Sequence, residues 1–177
     1  MNDMKQDIYT VAQRGFTLIE TFVAVTILVT AVAGPLTLAQ KGLQSAILAR
    51  DQLVASFLAQ EGLEFVRERR DNNSLASPRP SDWLEGLDAC IDPSTCIVNS
   101  SDDTVVACGG ECPPLRLDTT YGFYNYIGSN AVTPFTRTVT IVRHANGREA
   151  KVYSTLSWRT SIFDREVVLE DVLFKWQ

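Results

Sequence analysis

From Phe16 to Ala39 the chain is almost wholly apolar, and one charge, the carboxylate of Glu20, interrupts it. As a helix this run extends about 36 Å at ~1.5 Å per residue, enough to cross a hydrocarbon core of about 30 Å. No other feature constrains the chain as strongly, because a segment of this length and composition places the protein in a membrane at some stage. A carboxylate within such a run costs about 2.5 to 3.5 kcal/mol to insert, so an intramembrane charge normally has a partner. The run contains no Lys, Arg or His to serve as one.

The segment before the run does little to orient it. Lys5 and Arg14 stand against Asp3 and Asp7, while Lys41 and Arg50 lie beyond the far end, so a rule that counts basic flanks gives only weak help. A secretory signal would carry its small-residue cleavage site after the apolar core. Here the order is reversed, with Gly15 ahead of Phe16. Cutting at Gly15 would leave the apolar helix on the mature chain.

Gly15 followed by Phe16-Thr17-Leu18-Ile19-Glu20 resembles the cleavage and methylation signature of type IV pilins and of the pseudopilins of type II secretion and DNA-uptake machines. The resemblance implies a leader, residues 1–15, cut between Gly15 and Phe16 by a membrane-embedded prepilin peptidase. It also implies N-methylation of Phe16 and a role for Glu20 in assembly. The missing cation would then be the new α-amine of Phe16, most naturally that of a neighbouring subunit. Two charges taken out of water repay their desolvation only in good geometry, so this pairing would set the stagger between helices. The implied partners are other pilin subunits, the peptidase and methyltransferase, an inner-membrane assembly platform and membrane lipid. The implied location is the inner membrane, single-pass with the head outside, then an extracytoplasmic filament. The alternative is an uncleaved signal anchor carrying an extracytoplasmic binding or adhesion module.

Gly34-Pro35 is the one breaker in the run. Proline removes a donor and clashes with the carbonyl four residues back, which predicts a kink or loosened turn between Val32 and Leu36. Beyond it Leu43, Ile47, Val54, Leu58 and Phe65 recur at spacings of three, four or seven among charged and amide side chains, predicting an amphipathic continuation. Arg67-Glu68-Arg69-Arg70 reads as a solvated helix end, and Asp71-Asn72-Asn73-Ser74 as its stop. The expected organisation is a transmembrane or filament-core helix over 16–39, an amphipathic helix over 40–73 and a globular head over 74–177.

That head is long enough for one modest core. The whole chain, 177 residues with 16 basic and 21 acidic side chains, carries a net charge of −5, and nucleic-acid binding would need a basic surplus or stripe. From Ser74 to Pro114 the sequence is loop-rich, with a short helix expected from Ser81 to Leu87 that turns Trp83 and Leu84 inward. All four cysteines, Cys90, Cys96, Cys108 and Cys112, lie there. An even number outside the membrane reads as two disulfides. Local bridges Cys90–Cys96 and Cys108–Cys112 are favoured. The nested alternative, Cys96–Cys108 inside Cys90–Cys112, suits a hairpin of Ile97-Val98 with Val105-Val106. The spacings fit structural zinc poorly, and neither a metal nor a cofactor is expected.

After Pro114 the texture becomes strand. An aromatic run, Tyr121 to Ile127, precedes the alternation of Phe135, Arg137, Val139 and Ile141. Asn146-Gly147 predicts a type I′ hairpin turn, since both central positions need positive φ. The return strand carries Val152, Ser154, Leu156 and Trp158 on one face, and a third strand is expected from Val167 to Trp176 after a connection at Phe163-Asp164-Arg165-Glu166. The fold class is α+β: a long N-terminal helix packed on an antiparallel sheet. His144 sits at a hairpin end, Asp102-Asp103 and Glu170-Asp171 are sequence neighbours that would face opposite ways in strands, and Gly109-Gly110 lacks the Lys of a phosphate loop. No nucleophile and base come together, so the chain is not expected to be an enzyme. The resemblance points to a filament subunit, minor pilin or pseudopilin. The sequence does not distinguish a pilus from a secretion pseudopilus or a DNA-uptake filament.

Overall fold

The computed structural model describes residues 15–160 and 163–175. The expected leader, apart from Gly15, and the expected strand end at Trp176 fall outside them. One helix, α1, runs Leu18–Leu75. The strands are β1 Cys96–Asn99, β2 Thr104–Ala107, β3 Arg116–Leu117, β4 Tyr124–Asn125, β5 Ala131–Val132, β6 Phe135–Arg143, β7 Glu149–Thr160 and β8 Phe163–Phe174. The chain forms two compact units that divide between Ile47 and Leu48. Composition changes at Ala39, whereas Leu48 is the first half-buried residue of the helix.

In the first unit every described side chain is exposed. Thr17 caps the helix: its Oγ1 accepts the Glu20 N–H at 3.3 Å and its carbonyl accepts the Thr21 N–H at 3.1 Å. The threonines further along turn their hydroxyls back onto the backbone. Thr21 donates to the Leu18 carbonyl, Thr26 to Val23, Thr30 to Thr26 and Ile27, and Thr37 to Gly34, at 2.7 to 2.9 Å. Each hydroxyl is thus satisfied within the helix, leaving a surface that is apolar in effect. Gly34-Pro35 lies inside continuous helix, with one N–H withdrawn from the ladder by Pro35.

The second unit is the head. A five-stranded antiparallel sheet, in the order β2-β1-β6-β7-β8, is covered on one face by the 48–75 part of α1. Alternation fixes which face is covered: Phe135, Arg137, Val139 and Ile141 of β6 and Val152, Ser154, Leu156 and Trp158 of β7 are all buried. Helix residues Ala55, Leu58 and Ala59 join Leu115, Phe135, Leu156 and Trp158 in one apolar cluster. Leu63, Phe65 and Val66 join Trp83, Leu84, Val139, Ile141 and Val152 in another. Val54 is half-buried, but Leu43 and Ile47, expected on the same covered stripe, are exposed.

A polar rung separates the two clusters. Arg137, 1% exposed, donates to the Leu58 carbonyl at 3.0 Å and the Val98 carbonyl at 2.7 Å, and Ser154 lies beside it. At Gly62 helix and sheet approach closely. A Cβ there would come within 2.5 Å of Ser154 Oγ and 3.2 Å of Arg137 Cδ, so no larger residue fits without displacement.

Four local expectations are corrected. Residues 81–87 form turns, and the short helix is a 3-10 turn at Asp88–Cys90; Trp83 and Leu84 are nonetheless buried, at 7% and 0% exposed. The Asn146-Gly147 turn is not type I′, because only Gly147 has positive φ (64°) and the turn closes from the Gly147 N–H to the His144 carbonyl at 2.9 Å. β8 starts at Phe163, paired with Thr160; the charges at 164–166 are compatible with strand because they stand exposed at the sheet's edge. The Arg67–Arg70 cluster is tied into the head instead of solvated, and α1 passes the expected stop to reach Leu75. Arg67 binds Asp171 at 2.8 Å, Arg69 binds Asp103, and Arg70, 8% exposed, donates to the Phe174 carbonyl.

Candidate functional site

The residues singled out by the sequence fall into two groups. Gly15, Phe16 and Glu20 lie at the head of α1. Phe16 is 80% exposed, and nothing lies within 4 Å of where a Gly15 Cβ would be. Glu20 occupies the third helical position after the Thr17 cap, the place where Thr-x-x-Glu sequences cap helices and where a carboxylate suits the positive end of the helix dipole. Sequence reading took Thr17 only as part of a longer motif, although its spacing to Glu20 carried the cap signal. Among the described residues no ion pair reaches Glu20. Gly34 and Pro35 lie further along the same exposed surface.

The cysteines belong to the head. Cys90 bonds to Cys96 and Cys108 to Cys112. The β1–β2 hairpin of Ile97-Val98 with Val105-Val106 also forms, in register Ile97↔Val106 and Val98↔Val105. From sequence alone that hairpin suits the nested pairing. Hairpin and local bridges coexist because Cys96 faces Ala107 across the ladder, leaving Cys108 one residue beyond. Cys90 and Cys96 are fully buried in the Trp83–Val152 cluster, so that bridge fastens the loop to the core.

Next to the hairpin is an open cleft of about 430 Å³ lined by Glu61, Ser100, Ser101, Phe123 and Tyr124. Ser100 Oγ donates to Glu61 Oε1 at 2.7 Å, and Glu61 Oε2 lies 3.3 Å from Arg137 Nη1. Tyr121 stacks on Phe123 at 6.1 Å, both exposed. Burial raises the pKa of Tyr126, which packs against the Leu58–Phe135 cluster, partly offset by Arg137. β3, β4 and β5 form a small antiparallel sheet, with Tyr124 in β4 and Tyr121 and Phe123 in the connection before it. Sequence reading found the aromatic run but neither the small sheet nor the buried Arg137, which it had counted as one position of an alternating strand.

The residues weighed for catalysis are dispersed. His144 is exposed at the β6–β7 turn, where its Nδ1 accepts the Asn146 N–H at 3.4 Å. Asp102 accepts from Thr104, and Asp103 pairs with Arg69. Glu170 pairs with Lys151 on the open face of the sheet while Asp171 pairs with Arg67 on the helix side. The hydrogen bond from Arg67 holds the Asp171 carboxyl below its ordinary pKa, burial opposing. Among the described residues no group of three or more His, Cys, Asp or Glu is placed to hold a metal ion. No family model, curated protein or solved structure matches the chain.

Proposed function

We propose that the protein is a type IV pilin-like filament subunit, of minor pilin or pseudopilin type. It is inserted by α1, trimmed between Gly15 and Phe16, and assembled through helix contacts in which Glu20 meets the amine of Phe16 on a neighbouring subunit. The observation that carries this reading is the hexapeptide Gly15-Phe16-Thr17-Leu18-Ile19-Glu20 at the start of a helix long and apolar enough to cross a membrane. The exposure of every described side chain through Ile47 supports it, since a lipid- or subunit-facing helix has no need of intramolecular cover. In this reading the disulfide-bonded α+β head lies outside the membrane, where such bridges persist.

A second reading is an uncleaved, membrane-anchored binding module. One observation favours it: the Thr17 cap gives Glu20 a helix-end role that needs no cleavage. Coexpression with a prepilin peptidase, followed by intact-mass measurement, separates the two. The filament reading expects a mature chain beginning at N-methylated Phe16. A product that keeps residues 1–15 supports the anchored module.

A further inference from the structure

We infer that the hollow between the β6–β7 turn and the end of α1 binds a phosphate- or sulfate-bearing small anion. The basis is the distribution of cations in the head. Seven of them each meet a carboxylate, and Arg116 donates to the carbonyls of Gly128 and Asn130. Five have no such partner among the described residues, and three of these five, Arg79, Arg148 and Lys175, line two adjoining hollows. Lys175 belongs to both. In a chain of net charge −5, this convergence is opposite in sign to the molecule as a whole.

The backbone beneath the cations is fixed. The Lys175 N–H donates to the Arg148 carbonyl at 2.8 Å, Trp83 Nε1 to the Gly147 carbonyl at 3.3 Å, and the Arg148 N–H to Asn146 Oδ1 at 2.9 Å. The nearby carboxylates do not cancel the charge. Asp82 is engaged by Arg143, and although burial pulls its pKa up, the hydrogen bonds from Arg143 and the Leu84 N–H, with the charges of Arg143 and Lys175, together leave it lowered. Glu149 accepts from the Asn146 amide at 3.2 Å, and among the described residues no carboxylate lines either hollow. Guanidinium forks match tetrahedral oxyanions bidentately, and an ammonium adds a compact point charge. The larger hollow, of about 390 Å³, leaves room for the organic group that carries the anion. A lipid headgroup is the other source of the same chemistry.

The test uses the full chain in nonionic detergent micelles at constant ionic strength. One arm titrates inorganic phosphate and glycerol phosphate by calorimetry; the other dopes the micelles with phosphatidylglycerol. Saturable binding in the first arm identifies a free anion, and saturable binding in the second alone identifies a headgroup. Arg148→Gln and Lys175→Gln should each weaken binding about tenfold, the scale of one lost charge-assisted bond. Arg50→Gln, at an exposed cation away from the hollow, should leave it unchanged. Near-UV circular dichroism checks that each variant is folded. The inference fails if neither arm saturates, or if Arg50→Gln weakens binding as much as the other two.

Discussion

The two parts of α1 are built from similar residues to opposite ends. Along 18–47 the apolar side chains, large and small alike, are uniformly exposed: Phe22, Ile27, Leu28 and Leu38 are each more than 60% open, and Ala24, Ala31, Ala33 and Ala39 are exposed with them. Along 48–75 the buried positions include small residues, Ala55, Ala59 and Gly62, set between Leu58, Leu63 and Val66. Small residues on the covered stripe let a backbone approach a sheet, whereas a stretch apolar on every side suits a partner supplied from outside. The lesson is that hydrophobicity alone does not say where a helix is buried; the polar and charged residues interleaved along 48–75, which leave one apolar stripe to be covered, do.

The contrast breaks most sharply at Arg137. Arg137→Ala takes away the guanidinium donor to the Leu58 and Val98 carbonyls and the cation beside Glu61, and should destabilise the head by about 3 to 5 kcal/mol. Thermal unfolding followed by near-UV circular dichroism measures this, and a change below about 1 kcal/mol would mean that the polar rung is dispensable.

A matched glycine pair sharpens it. Gly62→Val must displace Ser154 or Arg137 and should cost about 1 to 3 kcal/mol by overpacking. Gly34→Val meets nothing within 4 Å and should leave head unfolding where it was. Equal effects in the same unfolding experiment would erase the distinction between the two stretches.

The smallest effect concerns Arg67–Asp171, which joins helix to sheet at partly exposed side chains. Asp171 has a lowered folded pKa, so its contribution is present above the ordinary carboxylate value near 3.8 and is lost as pH falls through the lower folded value. Asp171→Asn should cost under about 1 kcal/mol at neutral pH and flatten the acid limb of a stability-versus-pH curve below about pH 4. An unchanged acid limb would show that the pair does not couple helix to sheet.

Much of the fold was legible because periodicity survives in it. The covered face of β6 and β7 could be read residue by residue, and Asn146-Gly147 marked the hairpin even though only Gly147 needs positive φ. What failed depended on distant partners. Nothing local in Thr136-Arg137-Thr138 reveals that the guanidinium finds carbonyls 79 and 39 residues away. The start of β8 looked like a loop because an edge strand tolerates Asp164 and Glu166 facing water. Of the proposed assembly site, the apolar run and Glu20 were plain in the sequence, while the Thr17 cap was passed over. The cations at Arg79, Arg148 and Lys175 are far apart in sequence, and only the fold brings them to two adjoining hollows that share Lys175.

The central claim is that Glu20 acts between subunits, and Glu20→Gln removes its charge at nearly constant volume. Wild-type and mutant chains, coexpressed with the peptidase and the assembly machine, should both insert and both be cut before Phe16. The quantity to measure is the fraction of each recovered in sheared filaments. The account predicts normal processing of Glu20→Gln with strongly reduced incorporation, the head remaining folded and its disulfides intact. Incorporation equal to wild type would contradict it and leave Glu20 as the third residue of a capped helix.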